Sequence, residues 1–353
     1  MNLLDVEIIC IFGFLTSLII SLVITATKRL YNVSNLIKNN PQKIHDGYIP
    51  RIGGIAIICG LVIQNHLSYN YLNGSNWVFL IAAAPVFVFG LTEDFLERVH
   101  PYWRLFGAFL SGLIFVTLTK VTITDVGFAF FNMVLENKIF AIVFTIMAVI
   151  LMTNSLNIID GLNGLAMGST IIMLSCLSAI QFHLTDNLNE ILIYLGLVSV
   201  ILGVLVFNYP IAKLFLGDGG AYLLGCMVSF YVILIAENYV QVSPFASLLI
   251  VWYPIYETLR TFFRRVFIEE ISPIEPDTWH LHSIYFKYEL KIKKLPPYKA
   301  NYVASMKILF LPLLSSIYTF FHYDSRNHLI IGLCISILVY EVMYYLKKNK
   351  IKN

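Results

Sequence analysis

Charge is scarce in this sequence. Of 353 residues, 13% are Asp, Glu, Lys or Arg, against roughly 25% in an average soluble domain. Hydrophobic residues make up 58% of the chain, and the mean hydropathy is +0.76. A soluble enzyme, a secreted disulfide scaffold and a disordered chain are all excluded on that basis. Cysteine is also sparse: Cys10, Cys59, Cys176, Cys226 and Cys334 each sit in an apolar run, and none forms a C-x-x-C pair. Neither a zinc centre nor redox chemistry is expected from them. The net charge of +3 gives no reason to expect nucleic acid as a partner. There is no P-loop, no internal repeat and no low-complexity tract.

What the chain has in quantity is long apolar runs. A helix needs about 20 such residues to cross a bilayer. Eleven stretches qualify as expected spans: 6–26, 52–70, 77–92, 104–120, 138–154, 164–182, 190–207, 220–236, 244–260, 306–322 and 327–346. The expected fold is therefore an all-α, polytopic integral membrane protein, one transmembrane domain over 1–353. Asp5 and Glu7 precede the first run and Lys28 and Arg29 follow it, the reverse of a cleaved signal peptide. That order puts the N-terminus outside and, after eleven spans, the C-terminus in the cytoplasm. On this topology only Lys120, Lys138 and Arg326 lie outside, and the other 21 of 24 basic residues lie inside, as the positive-inside rule requires. The one long inner loop, 261–305, is basic, and its stretch 284–290 is expected to lie on the membrane surface.

Acidic and amide side chains collect in the inner loops. Glu93 and Asp94 follow the third span, and Asn154, Asn157, Asp160 and Asn163 follow the fifth. Asn208, Lys213 and Asp218 precede the eighth, and Asp277, His280 and His282 occupy the long loop. Acids at membrane depth are costly, so four such groups on one side point to function. The set Asn154, Asn157, Asp160 and Asn163 recurs every three residues, so on a helical turn these residues would line one side. Their hard oxygen donors suit Mg²⁺ and a nucleotide better than a soft metal. In the run G-D-G-G over 217–220, a carboxylate sits at a helix start whose free N–H groups are expected to hold phosphate. Carboxylates, cations and helix starts gathered in one place suit metal-assisted phosphoryl transfer.

The longer motifs carry a specific resemblance. The segment N-S-L-N-I-I-D-G-L-N-G-L-A-M-G over 154–168 resembles the signature N-A-x-N-x-x-D-G-x-D-G-L-A-x-G of the polyprenyl-phosphate N-acetylhexosamine-1-phosphate transferases. N-Y-P-I-A-K-L-F-L-G-D-G-G over 208–220 is similar to their N-x-P-A-K-x-F-x-G-D-x-G block. P-D-T-W-H-L-H over 276–282 resembles P-D-x-x-H-L-H-H of the branch that transfers GlcNAc-1-phosphate to undecaprenyl phosphate. Lys43, His45 and the run 49–54 resemble the first inner loop, and G-L-T-E-D over 90–94 resembles G-x-x-D-D. The likeness runs from about 41 to 283 in the family's order. This chain departs from the family at Glu93 and Glu257, where Asp is usual, at Asn163 for the second Asp of D-G-x-D-G, and at Ser283 for the last His.

The resemblance implies an enzyme of the bacterial cytoplasmic (inner) membrane with its active site on the cytoplasmic face. It would transfer an N-acetylhexosamine-1-phosphate from a UDP-N-acetylhexosamine to polyprenyl phosphate and release UMP, starting a lipid-linked cell-surface glycan. Mg²⁺, with Mn²⁺ as a substitute, would be held by Asp218 and Asn157. Asp160 and Asn163 would position the nucleotide, with Asn154 beside them. Asp94, paired with Glu93, would orient or deprotonate the lipid phosphate. His280 and His282 would hold the diphosphate near Asp277. Lys43, His45, Arg51, Arg104 and Lys213 are further phosphate candidates. Membrane lipid is the expected surrounding, and a homodimer is compatible with the sequence. The alternatives are the phospho-MurNAc-pentapeptide transferase branch, a weakened homologue with a scaffold role, and a transporter. A transporter would carry midplane acids and repeated halves.

Overall fold

The computed structural model describes residues 3–27, 49–69, 75–96, 100–272 and 277–352. Lys43 and His45 lie outside the described residues. Within them the chain is all-helical: α1 Leu3–Ala26, α2 Gly53–Leu67, α3 Ser75–Leu96, α4 Pro101–Thr119, α5 Ala129–Leu135, α6 Lys138–Ile159 and α7 Leu165–Thr185. There follow α8 Leu188–Asn208, α9 Gly217–Asn238, α10 Pro244–Phe263, a π-helical turn Arg264–Ile268, α11 Leu281–Lys291, α12 Pro297–His322 and α13 Arg326–Lys352. Lipid offers no hydrogen bonds, so an apolar run that enters it must satisfy its backbone internally, and a helix does so. Polar residues mark several starts: Asn137, Asn187 and Ser243 accept from backbone N–H groups at the heads of α6, α8 and α10.

Every stretch expected to span contains a helix. Nine of the described helices, α1, α3, α4, α6, α7, α8, α9, α12 and α13, are long and apolar enough to cross a membrane. α2, with 15 residues, and α10 are not among the nine. The protein is a polytopic membrane protein. Leu15, Ile19 and Leu22 on α1 and Ile331, Leu338 and Val342 on α13 are exposed apolar residues, as lipid-facing positions are.

The bundle is built around α9. In its most apolar window 89% of residues are buried, against 28% in α1 and 22% in α13. α9 packs on α2, α3, α6 and α7. Glycines allow the closest approaches: a Cβ on Gly54 would lie 2.6 Å from the Gly220 nitrogen, and one on Gly90 2.7 Å from the Gly219 Cα. α11 forms over the stretch expected at the membrane surface. One face is turned into the protein: Leu281, Ile284, Tyr285 and Tyr288 are buried and the helix packs on α12 and α13.

Candidate active site

The polar ends of several helices meet at one end of the bundle, around the start of α9. Chain segments 50–54 and 215–216 are laced by backbone hydrogen bonds: Phe215 N–H to the Pro50 carbonyl (2.8 Å), Gly53 N–H to Phe215 (3.0 Å) and Gly54 N–H to Leu216 (3.0 Å). Gly217 has φ +79°, a left-handed conformation open to glycine at little cost. That turn delivers Asp218 into the first turn of α9.

Asp218 is the centre of a charge cluster. Its Oδ2 accepts from Arg104 Nη1 at 3.0 Å, and its Oδ1 accepts from Asn157 Nδ2 at 3.3 Å and Arg51 Nη2 at 3.5 Å. The Asp218 side chain is 13% exposed, Arg104 23% and Arg51 51%, so the cluster opens to solvent on the Arg51 side. Asp94 reaches across from α3. Its Oδ1 accepts the Asp218 N–H and its Oδ2 the Gly219 N–H, both at 2.8 Å. Those two N–H groups were expected to hold phosphate. In the structure they are already capped by a carboxylate, which satisfies two orphan donors and the positive end of the helix dipole.

The 154–163 series also differs from expectation. α6 stops at Ile159, with Asp160 as its C-cap, so the four residues do not line one side of a helix. Asn154 spends its amide on the Ile150 carbonyl at 2.7 Å. Asn157 alone of the three amides reaches Asp218. Half-buried Asp160 faces the cluster. Desolvation first, then the negative charges of Asp218 and Asp94, push its carboxyl well above the usual range, with Arg51 opposing. Asn163 turns away: its Nδ2 donates to the Pro210 carbonyl at 3.1 Å and its backbone N–H to Asn301 Oδ1 at 2.9 Å. It fastens one loop to another, with no contact to Asp218. Asn208 does the same, accepting from Gly164 N–H at 2.7 Å and donating to the Leu214 carbonyl at 3.0 Å.

A second group stands beside this one. His280 and His282 stack with ring centroids 5.2 Å apart and planes 10° off parallel. His282 is buried, its Nδ1 has no hydrogen-bond partner among the described residues, and its ring lies against Gly161, where a Cβ would meet His282 Cδ2 at 2.5 Å. Burial, then the neighbouring His280, pulls its pKa down to about 3. His280 Nδ1 lies 3.0 Å from Glu257 Oε1 and 3.2 Å from Thr261 Oγ1. Its Nε2 is 3.7 Å from Asp277 Oδ2. Asp277 pairs with Arg264 and accepts the Trp279 N–H at 3.0 Å, so its contacts shape the loop. Glu93 faces Arg104 electrostatically. Lys213 is exposed. The structure thus joins Arg51, Asp94, Arg104, Asn157 and Asp218 by direct contact, sets Asp160 and Glu93 beside them, and brings His282 in through Gly161. Asn154, Asn163, Asp277 and Lys213 make their described contacts elsewhere.

In the sequence Asn208 and Glu257 were marked without a specific role for either, and Asn301 was passed over. The signal for Glu257 was available, a carboxylate three residues after Pro254 within an apolar run. Among the described residues no three His, Cys, Asp or Glu side chains form a ready-made metal cage. One carboxylate and one amide on an anion-attracting face fit a hard cation such as Mg²⁺, which keeps waters and takes its other oxygens from phosphates.

The sequence profile of glycosyl transferase family 4 matches residues 76–236, which carry Glu93, Asp94, Arg104, Asn157, Asp160 and Asp218. The chain is 27% identical over 309 residues to a probable undecaprenyl-phosphate N-acetylglucosaminyl 1-phosphate transferase of Bacillus subtilis (strain 168), covering 85% of this chain and 84% of that protein. It is 26% identical over 292 residues to the undecaprenyl-phosphate alpha-N-acetylglucosaminyl 1-phosphate transferase of Escherichia coli (strain K12), covering 80% and 77%. The corresponding transferase of Yersinia pestis is 27% identical over 296 residues, covering 80% and 78%. The profile match spans the Asp218 cluster, and the relatives align with this chain over most of both lengths.

Proposed function

We propose that this protein transfers an N-acetylhexosamine-1-phosphate from a UDP-sugar to polyprenyl phosphate, the first step of a lipid-linked cell-surface glycan. An oxygen of the lipid phosphate attacks the β-phosphorus of the sugar nucleotide. The bond from that phosphorus to the bridging oxygen breaks, UMP leaves, and polyprenyl-diphosphate sugar remains. The observation that carries the reading is Asp218, held at a buried helix start between Arg51, Arg104 and Asn157. The names of the relatives support the same reaction class.

The residues divide the work. Arg104 and Arg51 attract and orient two anionic reactants that would otherwise repel each other. Asp94, with both oxygens on the α9 backbone, fixes where Asp218 points. A phosphate monoester is mostly dianionic near neutral pH, with a second pKa of about 6, so a strong base is not required of Asp94. Mg²⁺ or Mn²⁺, held by Asp218 and Asn157, would supply charge neutralisation on the phosphate oxygens. We assign His280 and His282 to the diphosphate, a role supported by the His282 ring lying against Gly161, next to Asp160. The site faces the cytoplasm of a bacterial inner membrane, a reading supported by the inner-side bias of the basic residues.

The test uses the full chain in proteoliposomes with polyprenyl phosphate and doubly labelled UDP-sugars. The β-phosphate label is expected in the lipid and the uridine label in free UMP, both lost on chelation of divalent cations. Uridine label in the lipid, or no labelled lipid with any N-acetylhexosamine donor, overturns the reading.

A further inference from the structure

The last helix, α13, reads in sequence as one more apolar span, and the profile match ends well before it. Yet Tyr340, fully buried within it, sends its O–H to Glu257 Oε2 at 2.6 Å. The other oxygen of that carboxylate accepts the Leu281 N–H at 3.1 Å and faces His280 Nδ1 at 3.0 Å. Glu257 is itself fully buried. A buried carboxylate has no water to turn toward, so its protein donors set its orientation. A carboxylate facing Nδ1 keeps the proton on that nitrogen and fixes the ring. It also turns Nε2 to the Asp277 side.

The neighbours of Tyr340 keep it in register. Glu341 accepts from Arg260 Nε at 2.6 Å, from Arg260 Nη2 at 3.2 Å and from the Tyr256 hydroxyl at 2.8 Å. The Arg260 guanidinium lies 3.5 Å over the Tyr344 ring. One turn on, the Lys348 ammonium sits 5.0 Å from the Trp279 ring, beside His280 in the chain. Packing alone does not call for the Tyr340 hydroxyl. A phenylalanine ring would make the same edge contacts with Tyr256 (5.0 Å) and Trp252 (6.5 Å).

We infer that Tyr340 is a positioning residue for the transfer: its hydroxyl fixes Glu257, and Glu257 fixes the imidazole of His280. The inference rests on the reaction proposed above and on His280 meeting the diphosphate. It makes α13 part of the machinery.

The test is a double-mutant cycle in proteoliposomes with wild type, Tyr340→Phe, His280→Gln and the double variant, measuring kcat, both KM values and the melting temperature. Tyr340→Phe is expected to lower kcat about tenfold, the scale of one lost hydrogen bond to a charged group. Both KM values should stay within about twofold of wild type. In the His280→Gln background the same change is expected to cost nothing further. A wild-type kcat in Tyr340→Phe, or an equal proportional loss in both backgrounds, overturns the inference. If Tyr340→Phe does not fold, Glu257→Gln takes its place in the cycle with the same two outcomes. Absence of transfer by the wild type overturns the proposed reaction, and the inference with it. A working wild type with an indifferent Tyr340 overturns the inference alone.

Discussion

The two sides of the site are held in different ways. The carboxylate side, from α2, α3 and α9, is joined backbone to backbone: Gly54 against Gly220, Gly90 against Gly219, and the Asp94 carboxylate on two main-chain N–H groups. The histidine side, from α10, α11 and α13, is joined side chain to side chain through Glu257, Tyr340, Arg260 and Glu341. The backbone seams give the first side a fixed frame, from which the side chains of Asp94, Asp218, Arg51 and Arg104 project into the site. The second side is held by a buried relay of side-chain hydrogen bonds, so one lost hydroxyl is enough to loosen it.

The largest effect should come from the charge at the centre of the rigid side. Asp218→Asn is expected to lower turnover by at least about two decades, or about 2.7 kcal/mol of transition-state stabilisation, with little change in melting temperature. A near-normal rate in a folded variant would remove Asp218 from the chemistry. Next, Gly54→Ala should destabilise the fold by about 1–3 kcal/mol, the cost of overpacking against a neighbour that cannot move. Gly161→Ala meets the His282 ring instead, so it should lose activity with a smaller drop in melting temperature. Equal drops for the pair would erase the distinction between the two sides.

A pH series sharpens the comparison on the histidine side. The His282 pKa falls from 6.5 to about 3 on folding. Below about 6.5 the unfolded chain takes up a proton that the folded chain refuses, so stability is present at neutral pH and declines on acidification. The slope is at most about 1.4 kcal/mol per pH unit between the two values. Melting temperatures between pH 7.5 and 5 should fall for wild type and fall less for His282→Gln; parallel profiles would refute the assignment. The smallest effect is expected at Asn163. Asn163→Ala removes one amide bond to Pro210 and should cost about 1 kcal/mol of stability, with KM for the UDP-sugar near wild type. A selective rise in KM would return Asn163 to the nucleotide.

Long apolar helices were legible in the sequence because lipid enforces apolar runs, and the acids that gather around Asp218 stood out because acids are rare within such runs. The exact contacts were harder to read. The three-residue recurrence from Asn154 to Asn163 looked helical, but the turn around Gly161 and Gly164 ends the helix and redirects Asn163. The free N–H groups expected at the start of α9 were claimed by Asp94, which lies 124 residues earlier than its partner Asp218. Tyr340 gave no signal, since a tyrosine in an apolar stretch reads as core, and its partner Glu257 is 83 residues away. Local pattern reports burial well, whereas pairings across such distances emerge only from packing.

The depth of α9 bears on how the protein is made. A helix buried over 89% of its apolar window has little surface to offer lipid, and alone in a bilayer it would leave its glycine face unfilled. The helices that flank it most extensively, α2, α3, α6 and α7, all precede it in the chain. During synthesis they leave the ribosome first, so the seat for α9 can be assembled before α9 arrives. α10 to α13 follow α9 in the chain, so the contact of the His282 ring with Gly161 forms after that seat is filled.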